Sequence, residues 1–162
     1  MLCATDHPLV SGGTNSNRPT VAVDLNETAI EAMYIQVAQW LDERGLLIAA
    51  MPQKLLVNIN DAFTAERLMK AQGRVGTADN DIAAMLTMGV FPQGYQVMHR
   101  LTDTDAWFVK TDVPNGLKHF VRAPLKTASE GDFETGNFKY KARERYSFGF
   151  TDPLAIWGSP GA

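Results

Sequence analysis

The alternation over residues 138–150, FKYKARERYSFGF, constrains the fold more than any other stretch. Successive side chains of a strand point to opposite sides. Lys139, Lys141, Arg143, Arg145, Ser147 and Gly149 therefore share one face, and Tyr140, Ala142, Glu144, Tyr146, Phe148 and Phe150 share the other. The stretch holds four basic residues and one acidic residue, a local charge of +3 in a chain whose formal net charge is −3. Asp152-Pro153 ends it, because proline lacks an amide donor and restricts the residue before it. A short apolar run, residues 154–157, follows. A strand this late must pair with something made earlier, and residues 95–111 and 117–121 are the candidates. The aromatic face is expected to be core and the basic face to meet a neighbour.

The 162 residues suit one domain with a small appendage. A chain of this size buries roughly 70% of its unfolded surface, so its core needs no metal or disulfide. A single cysteine, Cys3, excludes an internal disulfide and a multi-cysteine zinc site. The negative net charge argues against a protein whose main task is gripping nucleic acid. No apolar run reaches the roughly 20 residues of a membrane span.

Residues 1–23 read as a flexible connecting arm, with a turn-forming SGGTNSN stretch between Pro8 and Pro19. Its paired glycines lack the lysine and hydroxyl residue of a phosphate loop. Residues 24–44 show the clearest helical pattern. Ile30, Met33, Val37, Trp40 and Leu41 make one apolar stripe. Two start signals compete: a capping box from Thr28 and Glu31, and an Asn26 cap with Leu25 and Ile30 as a hydrophobic staple. Gly45 is expected to close the helix, with Arg44 in its last turn.

Residues 54–59 read as a strand covered on both faces. Asn60 or Asp61 would cap a second helix carrying Phe63, Leu68 and Met69 and ending near Gly73. Asp79-Asn80-Asp81 read as a cap for a short helix through Met88, since a calcium loop would need glycine where Ala84 stands. Residues 95–101 and 106–111 are expected to form a hairpin, with His99 on the apolar face of its first strand. Asn115-Gly116 signals a turn before residues 117–121, and polar residues 127–136 read as an exposed loop. Helix, strand, helix in this order argues an α+β fold, a mixed sheet flanked by helices.

No catalytic set emerges. His7, His99 and His119 lie far apart, no serine sits in a G-x-S-x-G elbow, and Cys3 has no cationic neighbour to activate it. Asp103, Asp105 and Asp112 could form a carboxylate cluster, although turns favour aspartate for local reasons. No catalytic, metal or cofactor residue is assigned. The basic face admits three readings: a solvated face, a patch for acids of a neighbouring subunit, or a contact to nucleic-acid phosphates. The last is weakened because stacking aromatics would stand beside the charges, and here they point the opposite way.

Leu101-Thr102-Asp103-Thr104-Asp105-Ala106-Trp107-Phe108 and Asn115-Gly116-Leu117-Lys118-His119-Phe120 resemble the major head (capsid) subunits of tailed phages, Mu-like ones in particular. So do Phe133-Glu134-Thr135-Gly136-Asn137, the stretch from Tyr140 to Pro153, and the ending Gly158-Ser159-Pro160-Gly161-Ala162. The segment from His7-Pro8 through Gly13 to Asn17 is similar to the part of that family that follows its long helix. The resemblance implies the HK-ninety-seven capsid fold. Residues 24–125 would be an axial-domain-like core, and residues 126–162 an exposed loop and long strand returning to a peripheral domain. It implies a structural subunit, a C-terminal fragment of one, that forms the hexamers and pentamers of an icosahedral shell around DNA without reading its sequence. It would have no cofactor and no enzymatic activity. Scaffolding, portal or decoration proteins are its further expected partners, and the virion, after synthesis in the host cytoplasm, its place. Lys139, Lys141, Arg143 and Arg145 would face the acids Glu130, Asp132 and Glu134 of the next copy. The competing classes are a small α/β hydrolase with carboxylates at Asp103 and Asp105, and a nucleic-acid-binding module.

Overall fold

The computed structural model describes residues 2–73 and 82–161. They fall into two compact units, one of residues 1–116 and 152–162 and the other Leu117–Thr151. The division falls at residue 116, earlier than the expected boundary at 125, and the chain's last residues rejoin the first unit.

The first unit opens with β1 (His7–Pro8) and β2 (Thr14–Asn15), a short antiparallel pair. Helix α1 (Glu27–Ala38) follows. Asn26 is its cap, the Oδ1 accepting from the Ala29 amide at 2.8 Å, and Leu25 and Ile30 are both buried as the staple requires. The helix stops at Ala38, short of Gly45. Asp42 explains this: its Oδ1 accepts from the amides of Arg44 and Leu46, making a tight turn that brings Leu41 opposite Leu47.

Strand β3 (Pro52–Val57) leads through a 3-10 turn (Ile59–Asp61) into α2 (Ala62–Lys70). Asp61 stands at the N-cap position of α2 as expected but makes no side-chain capping bond, whereas Asn58 caps the 3-10 turn by accepting from the Asn60 amide. Ala65 and Leu68 are the buried face of α2, whereas Phe63 is exposed. Asp79-Asn80-Asp81 lie outside the described residues. Helix α3 (Ala84–Met88) ends at Gly89, whose φ of +61° is a left-handed cap conformation. Then come β4 (Tyr95–Val97) and β5 (Trp107–Thr111).

The expected hairpin of residues 95–111 does not form. The sheet order is β4-β3-β5-β8, so β3 lies between its two arms. β4 runs parallel to β3, and the segment carrying α2 and α3 is the long crossover that parallel neighbours require. The chain then crosses the end of β3 to reach β5 on its other side. Buried Asn58 holds that crossing by donating from Nδ2 to the carbonyls of Leu101 and Asp103, both at 2.7 Å. His99 is accordingly an exposed turn residue beyond β4, not a core histidine.

One sheet face is buried across β3, β5 and β8 and half-buried at Tyr95 and Val97 of β4. Leu55, Val109 and Trp157 form one row across it, and Val57, Trp107 and Ser159 the next. Ala29, Ile30, Met33 and Val37 of α1 belong to the same core. The other face is only half-buried at Leu56 and Phe108, so β3 is not sealed on both sides.

The second unit is a two-stranded ribbon of β6 (Leu117–Gly131) and β7 (Phe138–Phe150). β7 pairs with β6 along its whole length. The expected loop over residues 127–136 is therefore strand as far as Gly131, and only residues 132–137 turn. Polarity was misleading because both faces of an isolated ribbon meet water, so its strands need no apolar face. The first unit closes with a 3-10 turn (Pro153–Ala155) and β8 (Ile156–Ser159), which pairs with β5.

The expected arm is hydrogen-bonded into this unit. Asn17 is fully buried and donates from Nδ2 to the carbonyls of Leu2, Pro153 and Ile156. Asn15 exchanges two hydrogen bonds with the backbone of Leu41, and the Ser16 carbonyl accepts from Trp40 and Gln36.

Candidate subunit interface

The ribbon gathers the charged residues singled out in the sequence. Cross-strand partners share a face, so Lys139 sits with Glu130, Lys141 with Ala128, Arg143 with Lys126 and Arg145 with Ala123. The other face carries Leu117, His119 and Val121 opposite Phe150, Phe148 and Tyr146. His119 stacks on Phe148 with ring centroids 4.8 Å apart and meets Tyr146 edge-on at 5.3 Å. Toward the tip, Phe138 and Tyr140 lie 5.1 Å apart.

This aromatic face is not buried within the chain. Tyr140 is 81% exposed and Phe148 75%, and Phe138, Tyr146 and Phe150 are exposed too. The rings touch each other, which removes only part of their surface from water. A contiguous exposed row of large apolar side chains marks an interaction surface.

At the tip, Asp132 is committed within the ribbon. Its Oδ2 lies 2.7 Å from Lys139 Nζ and accepts from the Thr135 hydroxyl at 3.0 Å. The Lys139 hydrogen bond, helped by that of Thr135, holds the Asp132 carboxyl below the usual aspartate range. The turn closes through the Gly136 amide to the Asp132 carbonyl and the Asp132 amide to the Asn137 carbonyl, both at 2.8 Å. Of the three acids expected to meet a neighbour, Asp132 thus has its cation in the same ribbon.

Charge is divided unevenly along the chain. Residues 117–151 hold seven basic and four acidic residues, a net +3, and the remainder hold eight and fourteen, a net −6. Sequence reading found the cations of β7 but missed Lys118 and Lys126, which the ladder adds to the same face. Both sat in segments that gave no alternation signal.

The carboxylates suggested for a hydrolase are only partly assembled. Asp103 hydrogen-bonds Asp105, and this contact, with burial and the nearby charges of Asp103 and Asp24, pushes the Asp105 carboxyl up. Asp112 is elsewhere, its Oδ1 accepting from the Met51 amide at 2.8 Å. A cleft of about 680 Å³ is lined by apolar side chains including Leu25, Met33, Leu68 and Trp157, and none of these aspartates borders it. Burial pushes the Cys3 thiol up, away from the thiolate form a nucleophile needs. Among the described residues no group of three or more His, Cys, Asp or Glu is placed to hold a metal, and no helix is long and apolar enough to cross a membrane.

Comparison with curated proteins gives no match. Among solved structures, one similar to this chain is the "Crystal structure of virus-like particle from Pyrococcus furiosus", at 15% identity and a TM-score of 0.47. The match covers 88% of this chain and 55% of that one, so the chain spans about half the length of that protein. A family model described as "Phage capsid protein" matches residues 4–158. The chain belongs to the phage capsid protein family.

Proposed function

We propose that this chain is a structural head subunit, Mu-like and of the HK-ninety-seven type, which self-assembles into the hexamers and pentamers of an icosahedral shell around DNA. The first unit takes the part of an axial-domain-like core and the ribbon that of a peripheral element. The observation that carries this reading is the exposed two-faced ribbon in a chain of the capsid family. Copies repeated around a ring meet through two different surfaces. The basic residues Lys141, Arg143 and Arg145 of one copy face acids of the next, with Glu130 and Glu134 the acids the tip leaves for that contact and Lys139 and Asp132 bracing the tip. DNA is enclosed, not read. Scaffolding, portal or decoration proteins complete the particle, which is made in the host cytoplasm.

Electron microscopy and light scattering test this. Rings or shells are expected, and Arg143→Glu with Arg145→Glu is expected to prevent them. A chain that stayed monomeric at every salt concentration and hydrolysed a generic ester or phosphate would overturn the reading in favour of the enzyme class.

A further inference from the structure

The register of the ribbon shows what β6 offers the cations of β7. Lys139 receives Glu130 opposite and Asp132 at 2.7 Å. The next three receive no acid: Lys141 faces Ala128, Arg143 faces Lys126 and Arg145 faces Ala123. Among the described residues none of these three forms an ion pair. Like charges directly opposite each other in a ladder are unfavourable, so Arg143 and Lys126 add repulsion where β6 could have supplied an acid.

The two outer edges of the ribbon also differ. β6 carries register shifts between Val121 and Ala123 and again between Ala123 and Lys126, with the extra residues in β6. Pro124, which has no amide hydrogen, lies in the second. Bulges and proline are what blunt a strand edge. β7 has neither, and among the described residues its 13 residues have one ladder neighbour, β6. One edge is interrupted at residues 121–126 and the other runs without a break.

We propose that the outer edge of β7 accepts an extended segment of a neighbouring protein chain, with carboxylates at every second position opposite Lys141, Arg143 and Arg145 and apolar side chains opposite Tyr140, Ala142 and Tyr146. Strand addition of this kind takes its affinity from backbone hydrogen bonds and its selectivity from the alternating side chains. A second β7 does not fit, since it would set cation against cation. A nucleic-acid strand does not fit either, because phosphates and stacking bases would need the cations and rings on one side. Taking the neighbouring chain to be a shell subunit rests on the function proposed above; the chemistry of the edge does not.

The competing explanation is that the cations only guard the edge against pairing. Peptides of about ten residues, a typical strand length, separate the two. A peptide alternating Glu and Val is expected to bind the full chain and to protect every second β7 amide from hydrogen exchange. An alternating Lys and Val peptide is expected to bind about tenfold more weakly. Arg143→Glu with Arg145→Glu should invert that preference. If that double reversal does not fold, Arg143→Gln with Arg145→Gln should abolish the preference. No binding by the Glu-Val peptide, binding without protection of β7, or equal binding when proline replaces its central residue would each overturn the proposal. A chain that binds the peptide yet forms no rings or shells overturns the shell reading and leaves the edge assignment standing. Shells from a chain that ignores the peptide do the reverse.

Discussion

Trp107 and Trp157 lie on neighbouring strands of the core sheet with ring centroids 4.7 Å apart and planes tilted by 44°. Each indole also finds a distant acceptor, Trp107 Nε1 donating to the Val23 carbonyl at 3.0 Å and Trp157 Nε1 to Gln36 Oε1 at 2.8 Å. The pair joins the last strand of the chain to α1 and to the segment before it. Trp157→Ala would remove the ring and leave Gln36 short of a donor. A loss of about 3–5 kcal/mol is expected, as for other buried aromatic truncations, read from urea unfolding.

Asn17 concentrates more of the first unit's polar bonding than its position suggests. Its Oδ1 accepts from the Ala4 amide at 2.8 Å and lies 2.9 Å from His7 Nε2, and its Nδ2 serves three carbonyls. Asn17→Ala leaves several of these buried groups unpaired. Each costs about 1–3 kcal/mol, so the variant is expected to unfold at markedly lower urea. Asn17→Asp, the same shape without the amide donors, should be no better. Wild-type stability in Asn17→Asp would remove the assigned role.

Gly116 meets Ala155 so closely that an added Cβ would fall 1.8 Å from the Ala155 Cβ. Gly116→Ala is expected to cost about 1–3 kcal/mol by overpacking. Gly116→Ala combined with Ala155→Gly should recover much of the loss, because the two sites share one space. Additive effects in a double-mutant cycle would show that the cost lies in the backbone of the turn instead.

The Asp103–Asp105 contact sets a pH dependence. The folded-state carboxyl of Asp105 is raised above its ordinary 3.8 by the hydrogen bond it donates to Asp103, by burial and by neighbouring negative charge. The folded chain therefore holds a proton there that the unfolded chain has already released. This contribution is full at low pH and is lost as pH rises through the folded value. Asp103→Asn should flatten the fall in stability with pH above the ordinary aspartate range and raise stability where Asp105 is ionised in the folded chain. An unchanged slope in urea titrations would contradict it.

Local rules were enough where a segment's partners are its own neighbours. The Asn26 cap and its staple are one of the two starts that adjacent residues offer, and the period-two pattern of β7 follows from thirteen. Pairing was harder to read. Tyr95 and Thr111 looked like the ends of one hairpin, because the Thr102–Asp105 turn chemistry is real. Yet Asn58, more than 40 residues earlier, binds that turn and draws the chain across β3. The aromatic face of β7 was read as core because large rings usually are buried. Burial depends on a facing surface, and strand periodicity carries no information about whether one exists. At the candidate interface the cations were visible, but the engagement of Asp132 by Lys139 needs the turn that folds the two strands together.

The ribbon leaves the first unit at Gly116 and the chain re-enters at Asp152, so the core sheet is completed only by β8. Until residues 153–159 are made, the outer side of β5 has no partner, Gln36 has no indole to receive, and Asn17 lacks two of its carbonyls. Contacts separated by 121 to 139 residues are thus the ones that finish the fold. Such non-local closure slows folding and ties it to the making of residues 153–159. A chain cut short inside the ribbon would expose an open core edge, whereas one that includes β8 closes it. Completion of the core in this way reports that the whole ribbon has already been made.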